Sequence, residues 1–398
     1  MGQNALQKTG TVAGLLALSS GGLAQTAETY KGRIAWSIGN PAMKVIVTPG
    51  GGHIASMTLK SGRGAGLNPL WLPPWKSVEP GNWNSGVYGD KPAAQLLCCI
   101  LGHNICLDFF GAPSSAETAA GIPVHGEAPC VNWKADRAGR SFITYSADLP
   151  LAQMRVTRSM KLAPKASAVW IEETVTNLAP FDRPFGWTQH VTLSPPFLEQ
   201  GATFYDFSGG WSTVYPKEFS KQETLKRGAE FEWPDAPGKD GGSVDLRRYP
   251  RGTKNSDFTV SLARTESKWA YFTAINVKKG LLVGYIWPRN EWPWIANWEE
   301  SHARTAKPWL GKAVARGTEF GTTPYPDSRR DMVTLNKLHG TPTYRWISAK
   351  GKQTVGYAAF LSSIPVGATG VKNVKMEGKV IRIELEGVDK TVTLPLAK

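Results

Sequence analysis

A chain of 398 residues that is 41% hydrophobic and 20% charged has the make-up of an ordinary globular protein and can bury a large core, which excludes a disordered or fibrous class. Its 42 glycines and 28 prolines punctuate many turns, which suits short strands and argues against a bundle of long helices. The formal charge of +14 is dispersed without a block of consecutive basic residues, so no nucleic-acid or membrane-surface footprint is expected; an acidic sugar or polysaccharide stays compatible with it.

Residues 1–24 read as an export signal: Lys8 supplies a positive start, Val12 to Leu18 a short apolar run, and Gly22-Leu23-Ala24 small residues for cleavage. A mature chain beginning near Gln25, in the periplasm or secreted, is the expectation; the other reading is a plain N-terminal extension on a cytoplasmic chain. No other stretch approaches the roughly 18 apolar residues a membrane span needs. Lys44 to Val47 opens a strand that Pro49 and Gly50-Gly51-Gly52 end. Residues 62 to 90, rich in Gly, Pro, Asn and Trp, read as a long structured loop, and such loops are often functional. Cys98, Cys99, Cys106 and Cys130 include no C-x-x-C pair, so a zinc or redox site is not expected. In a strand, Cys98 and Cys99 point to opposite faces; buried free thiols are the default, with a disulfide to Cys130 open in an oxidising compartment.

Further strands are legible at Val169 to Thr176, Gly186 to Leu193 and Leu281 to Trp287. Near the C-terminus Ile381, Ile383 and Leu385 alternate with Arg382, Glu384 and Glu386, and Val392, Leu394 and Leu396 follow a turn, a half-buried antiparallel pattern. With no long amphipathic helix, internal repeat or linker, residues 25–398 read as one all-β domain.

Several residues could carry chemistry. His125 sits beside Pro123 and Gly126, a turn at a strand end. In the segment from Phe185 to Leu193, period two places Trp187, Gln189 and Val191 on one face and Thr188, His190 and Thr192 on the other. A histidine between two threonines suits a polyhydroxylated ligand; an isolated one is as readily a structural residue. Gly317, Glu319 and Gly321 share a face, so the carboxylate is expected to stand in space left by two missing side chains. Between these lie four tryptophans within residues 287 to 300, with Trp294 and Trp298 on one face and Asn297 and Glu299 on the other. That segment reads as a sugar platform or as self-packing aromatics, since an indole fits the apolar face of a pyranose as well as a core. His53, His103, His302 and His339 have no comparable setting.

Taken in order, Gly50 to Met57, Pro123-Val124-His125-Gly126, Thr176-Asn177 followed by Gln189-His190, and Gly317-Thr318-Glu319 resemble the aldose 1-epimerase (galactose mutarotase)-like superfamily, over roughly residues 30 to 398. The resemblance implies a large antiparallel β-sandwich that binds a small sugar and interconverts its α and β anomers, with Glu319 as base, His190 as acid and His125 orienting the anomeric oxygen. Trp298, Asn297, Gln189 and Glu127 are the implied sugar-binding residues, and neither metal nor organic cofactor is required. The arginine and aspartate sugar ligands of galactose mutarotases have no counterpart, and the Asn297-Trp298 region looks more like hexose-6-phosphate epimerase relatives, so the sugar stays open. Two other classes remain: a non-catalytic sugar-binding protein of the same fold, and a glycan-cleaving enzyme, which as a hydrolase would pair Glu319 with Glu127.

Overall fold

Strict alternation of buried and less buried residues, as in Phe142–Leu149 and Met154–Leu162, marks strands with one face on a core. The computed structural model describes residues 27–398, so the expected export segment lies outside the described residues. The elements that position the site are His103–Asp108 (β1), Ala168–Asn177 (β2), Arg183–Leu193 (β3), Asn255–Ala263 (β4), Leu281–Pro288 (β5), Trp294–Ser301 (β6), Val314–Gly321 (β7) and Lys352–Ser363 (β8). Strands β1, β3, β7, β6 and β4 run side by side, in that order and antiparallel, through a twelve-stranded sheet. Strands β5, β8 and β2 are neighbours in a facing eight-stranded sheet. The sequence expectation of a large antiparallel β-sandwich is therefore met.

The main core lies between the two sheets. Ile105, Trp187, Val191 and Phe320 reach it from the larger sheet, and Ile171, Tyr285, Tyr357 and Leu361 from the smaller. Trp287 stacks on Phe320 at 4.0 Å between ring centroids, and fully burying such side chains contributes about 1.5–3 kcal/mol each. The C-terminal alternation forms a separate three-stranded sheet, Gly370–Glu377, Val380–Glu386 and Thr391–Pro395. Its Ile381, Ile383 and Leu385 pack with Ile286, Ala358 and Phe360 from the outer face of the smaller sheet.

The opposite face of the larger sheet carries a second apolar cluster, joined by Trp71, Trp75, Leu96, Leu97 and Ile100 and by Val124 of the loop before residue 126. Cys98 and Cys99 lie in a short helix, Ala94–Cys99 (α1), rather than in a strand. Both are buried, and all four cysteines are free thiols. The run from 62 to 90 is irregular apart from one helical turn, Ser85–Tyr88.

Candidate functional site

Strand register builds the centre of the site. His190 on β3 lies directly opposite Glu319 on β7, and such opposed residues stand close enough for their side chains to meet. His190 Nε2 is 2.9 Å from Glu319 Oε1, and His190 Nδ1 is 3.1 Å from Thr192 Oγ1. Thr192 is two residues along, so the strand's own period holds the ring from behind. On the other side of β7, Trp298 of β6 faces Gly317. A side chain at 317 would collide with the Glu319 carboxylate and reach 3.2 Å from the Trp298 ring. The space expected for a ligand is thus taken by the protein's own groups: glycine lets the carboxylate lie along the strand toward the imidazole. At Gly321 the corresponding space is filled by Thr188 and the Trp187 carbonyl.

His125 arrives from a loop. Its backbone N–H donates to the Gly111 carbonyl at 2.8 Å, and its carbonyl accepts from the Leu107 N–H at 3.1 Å. Gly126 follows at φ +75°, and a β-carbon there would run into the Leu107 carbonyl, so the glycine after the histidine is what lets the loop dock on the end of β1. The His125 ring stacks on Phe110 at 5.8 Å and meets His190 at 5.0 Å. Burial first, then the neighbouring His190 and Arg304, push its pKa well below the usual histidine value, so His125 is neutral near pH 7.

These side chains open on one cavity of about 330 Å³, at the small end of the range for small-molecule sites. Trp298 lines it too, as do Trp71, Trp309 and Arg304. The Arg304 guanidinium lies over the rings of Trp298, Trp309 and Phe219 at 5.3, 5.0 and 5.3 Å, with Glu300 at 3.4 Å from its Nε. Buried polar atoms on this wall lack partners: Glu319 Oε2, His125 Nδ1, and the indole nitrogens of Trp71 and Trp298. Buried polar groups are ordinarily satisfied; these four can meet a polar ligand, whereas others of the kind, such as both ring nitrogens of His53, lie away from the cavity. Among the described residues no group of three or more His, Cys, Asp or Glu side chains could hold a metal ion.

Four of the seven residues singled out in the sequence, His125, His190, Glu319 and Trp298, are brought together. The other three are not. Gln189 points to the inter-sheet core because it alternates with His190: it donates to Glu173 Oε2 at 2.6 Å and accepts from His103 Nε2 at 2.9 Å. Asn297 alternates with Trp298 in the same way and accepts from Arg316 Nε at 2.6 Å. Glu127, past the turn, accepts from the Ala152 N–H at 2.6 Å, and burial raises its pKa. The tryptophan-rich segment is divided likewise: Trp287 and Trp292 belong to the main core, and only Trp298 of the four reaches the cavity. Sequence reasoning missed Arg304, Phe110 and the wall from α1. Arg304 lies beyond the end of β6, where no periodicity points to it. The loop 62–90 was marked by its composition, and Trp71 is what it contributes.

No family model matches the sequence, and no curated protein matches it. Solved structures match in shape. One is a provisionally assigned aldose 1-epimerase from Klebsiella pneumoniae, with TM-score 0.61, 14% identity, and 84% of this chain and 80% of that one covered. Another is a galactose mutarotase related enzyme from Lactobacillus acidophilus, with TM-score 0.55, 12% identity, and 86% and 100% covered. A third is a galactose mutarotase-like protein from Clostridium acetobutylicum, with TM-score 0.54, 12% identity, and 86% and 99% covered. The fold of this chain is that of the aldose 1-epimerase and galactose mutarotase-like proteins.

Proposed function

We propose that the protein is an aldose 1-epimerase, interconverting the α and β anomers of a small sugar. The observation that carries this reading is the His190–Glu319 contact of 2.9 Å, with the second carboxylate oxygen buried and unpartnered at a cavity of monosaccharide size. Glu319 Oε2 takes the proton of the anomeric hydroxyl as the C1–O bond to the ring oxygen breaks. His190, in its imidazolium form with Nδ1–H donating to Thr192, gives its Nε2 proton to that ring oxygen. The free aldehyde turns about C1–C2, and the reverse transfers close the ring on its other face. Protons balance: an imidazolium and a carboxylate become a neutral imidazole and a carboxylic acid, then return. Each positioned transfer typically contributes ~10²–10⁴-fold. Neutral His125, 5.0 Å from His190 between ring centroids, orients the anomeric oxygen.

The two-carboxylate hydrolase reading loses its second member, because Glu127 is engaged with Ala152 rather than lining the cavity. The test is NMR exchange between anomers of a panel of monosaccharides with the purified protein. Faster exchange of at least one sugar is expected; saturable binding with no acceleration of any sugar would replace this reading by a non-catalytic sugar-binding one.

A further inference from the structure

Anomer exchange through His190 and Glu319 makes no demand on Arg304, yet the Arg304 guanidinium lines the same cavity. The rings of Trp298, Trp309 and Phe219 hold it in place, a contact that favours the charged group without using its donors. Glu300 answers that charge only in part. One of its oxygens accepts the backbone N–H groups of Ala303 and Arg304 at 2.8 and 2.9 Å, and the other stands 3.4 Å from Arg304 Nε. Among the described residues nothing accepts a hydrogen bond from the two terminal nitrogens, and the side chain is 32% exposed. The same wall holds two more donors without partners, the indole N–H groups of Trp71 and Trp298, whose rings lie 6.1 Å apart.

A neutral hydroxyl asks only for a hydrogen bond. A carboxylate asks for a charge as well, and its two oxygens match the edge of a guanidinium. The carboxylates that line the cavity do not stand against such a guest: Glu319 meets His190 at 2.9 Å, and Glu218 is held by Lys221 at 2.6 Å and Arg227 at 3.4 Å. Anomer exchange also places the substituent. His190 gives its proton to the ring oxygen, and that oxygen is bonded to carbon 5, which carries carbon 6. The His190 ring and the Arg304 guanidinium both lie against Trp298, at 6.1 and 5.3 Å. With the ring oxygen at His190, a carboxylate on carbon 5 needs to cross only the width of that indole to meet Arg304.

We infer that the aldose this cavity accepts is a hexuronate, with its carbon-6 carboxylate received by the terminal nitrogens of Arg304. The inference rests on the anomer-exchange reading for the orientation of the sugar. A phosphate in the same place would bring up to two charges and call for a second cation. Lys217 is engaged with Asp327 at 2.8 Å, and Lys221 and Arg227 with Glu218.

The experiment compares D-glucuronate with D-glucose and D-galacturonate with D-galactose, and adds D-glucuronamide, a neutral copy of the first, and D-glucose 6-phosphate. Kd is read from tryptophan fluorescence and kcat/KM from NMR anomer exchange, with the full chain. At least one uronate is expected to exceed its neutral parent by roughly tenfold or more in both, the worth of a charge-assisted hydrogen bond. D-glucuronamide should behave like D-glucose. Neutral sugars equal to or better than their uronates in both pairs overturn the inference while leaving anomer exchange standing. A preference for the phosphate over both uronates overturns the carboxylate. Tighter binding of a uronate with no exchange supports the Arg304 site and removes the catalytic reading, and no binding of any sugar removes both. In Arg304→Gln the ratio of uronate to parent should shrink severalfold, and Arg304→Lys, charged but without the fork, should recover part of it. An unchanged ratio in the folded variants overturns the role given to Arg304. Should neither variant fold, the comparison of D-glucuronate with D-glucuronamide on the unaltered protein decides whether the charge is read: equal affinities overturn the inference.

Discussion

Strand β3 carries two polar clusters back to back, one residue apart, and they are finished to different degrees. On the core side, Glu173 accepts from Arg158 Nε at 2.6 Å, Trp187 Nε1 at 3.0 Å and Gln189 Nε2 at 2.6 Å, with the Tyr357 hydroxyl at 2.8 Å. On the cavity side, His190 and Glu319 hold one another, and one carboxylate oxygen stays empty-handed. A densely bonded buried network specifies a core, even with a single atom such as Arg158 Nη2 left over; a carboxylate oxygen left unpartnered at a cavity can instead be met by a ligand.

The largest effect should come from breaking the densely bonded core side. Glu173→Ala strands the Arg158 charge and the Trp187 and Gln189 donors in the core, Tyr357 keeping Gln189 Oε1 at 3.1 Å, and removing one partner of a buried pair costs about 3–5 kcal/mol. A denaturant titration checks this. A shift of the midpoint worth less than about 1 kcal/mol would show that the cluster is not what fixes the two sheets.

On the cavity side the same kind of change should cost less stability and remove activity. Glu319→Gln keeps the shape and a hydrogen-bonding partner for His190, so the loss of unfolding free energy should be smaller than in Glu173→Ala. Anomer exchange should fall by roughly 10² or more. His190→Asn should lose a similar amount, and the double variant little more than either, because the two act as a unit. Wild-type exchange rates in both single variants would end the mechanism proposed here.

The smallest effect separates the two sides by proton. Burial holds His103 on the core side and His125 at the cavity well below the ordinary histidine pKa. The unfolded chain binds protons near pH 6.5 that the folded chain refuses. Stability should therefore be flat above about pH 7 and fall as pH drops below about 6.5, by up to ~1.4 kcal/mol per pH unit for each such histidine. His125→Asn should lessen that slope by about one histidine's share, read from thermal unfolding across pH 5–7.5. An unchanged slope would mean that His125 titrates alike in both states.

Periodicity made one half of this comparison legible and blurred the other. Alternation along β3 assigned His190 to one face and Gln189 to its opposite, and the structure keeps that assignment. The resemblance nevertheless implied both as sugar-binding or catalytic, which neighbouring strand residues cannot easily be. The same holds for Trp298 and Asn297. The two sheets, and the convergence of His125, His190 and Glu319, were expected from motif order rather than from any local pattern, since residues so far apart meet only through tertiary pairing. The Arg304 position and the α1 wall had no sequence signal because loops and short helices lack a period to read.

Strand β3 is hydrogen-bonded along both edges, to β1 and to β7, and its first residues also pair with Arg345–Ile347. Backbone so enclosed opens only when the whole molecule does, whereas short helices and loops open locally and far more often. The floor of the cavity and its α1 wall therefore keep different clocks. The backbone carrying His190 and Glu319 is expected to exchange its amides only with global unfolding, and the α1 wall to open locally many times between such events.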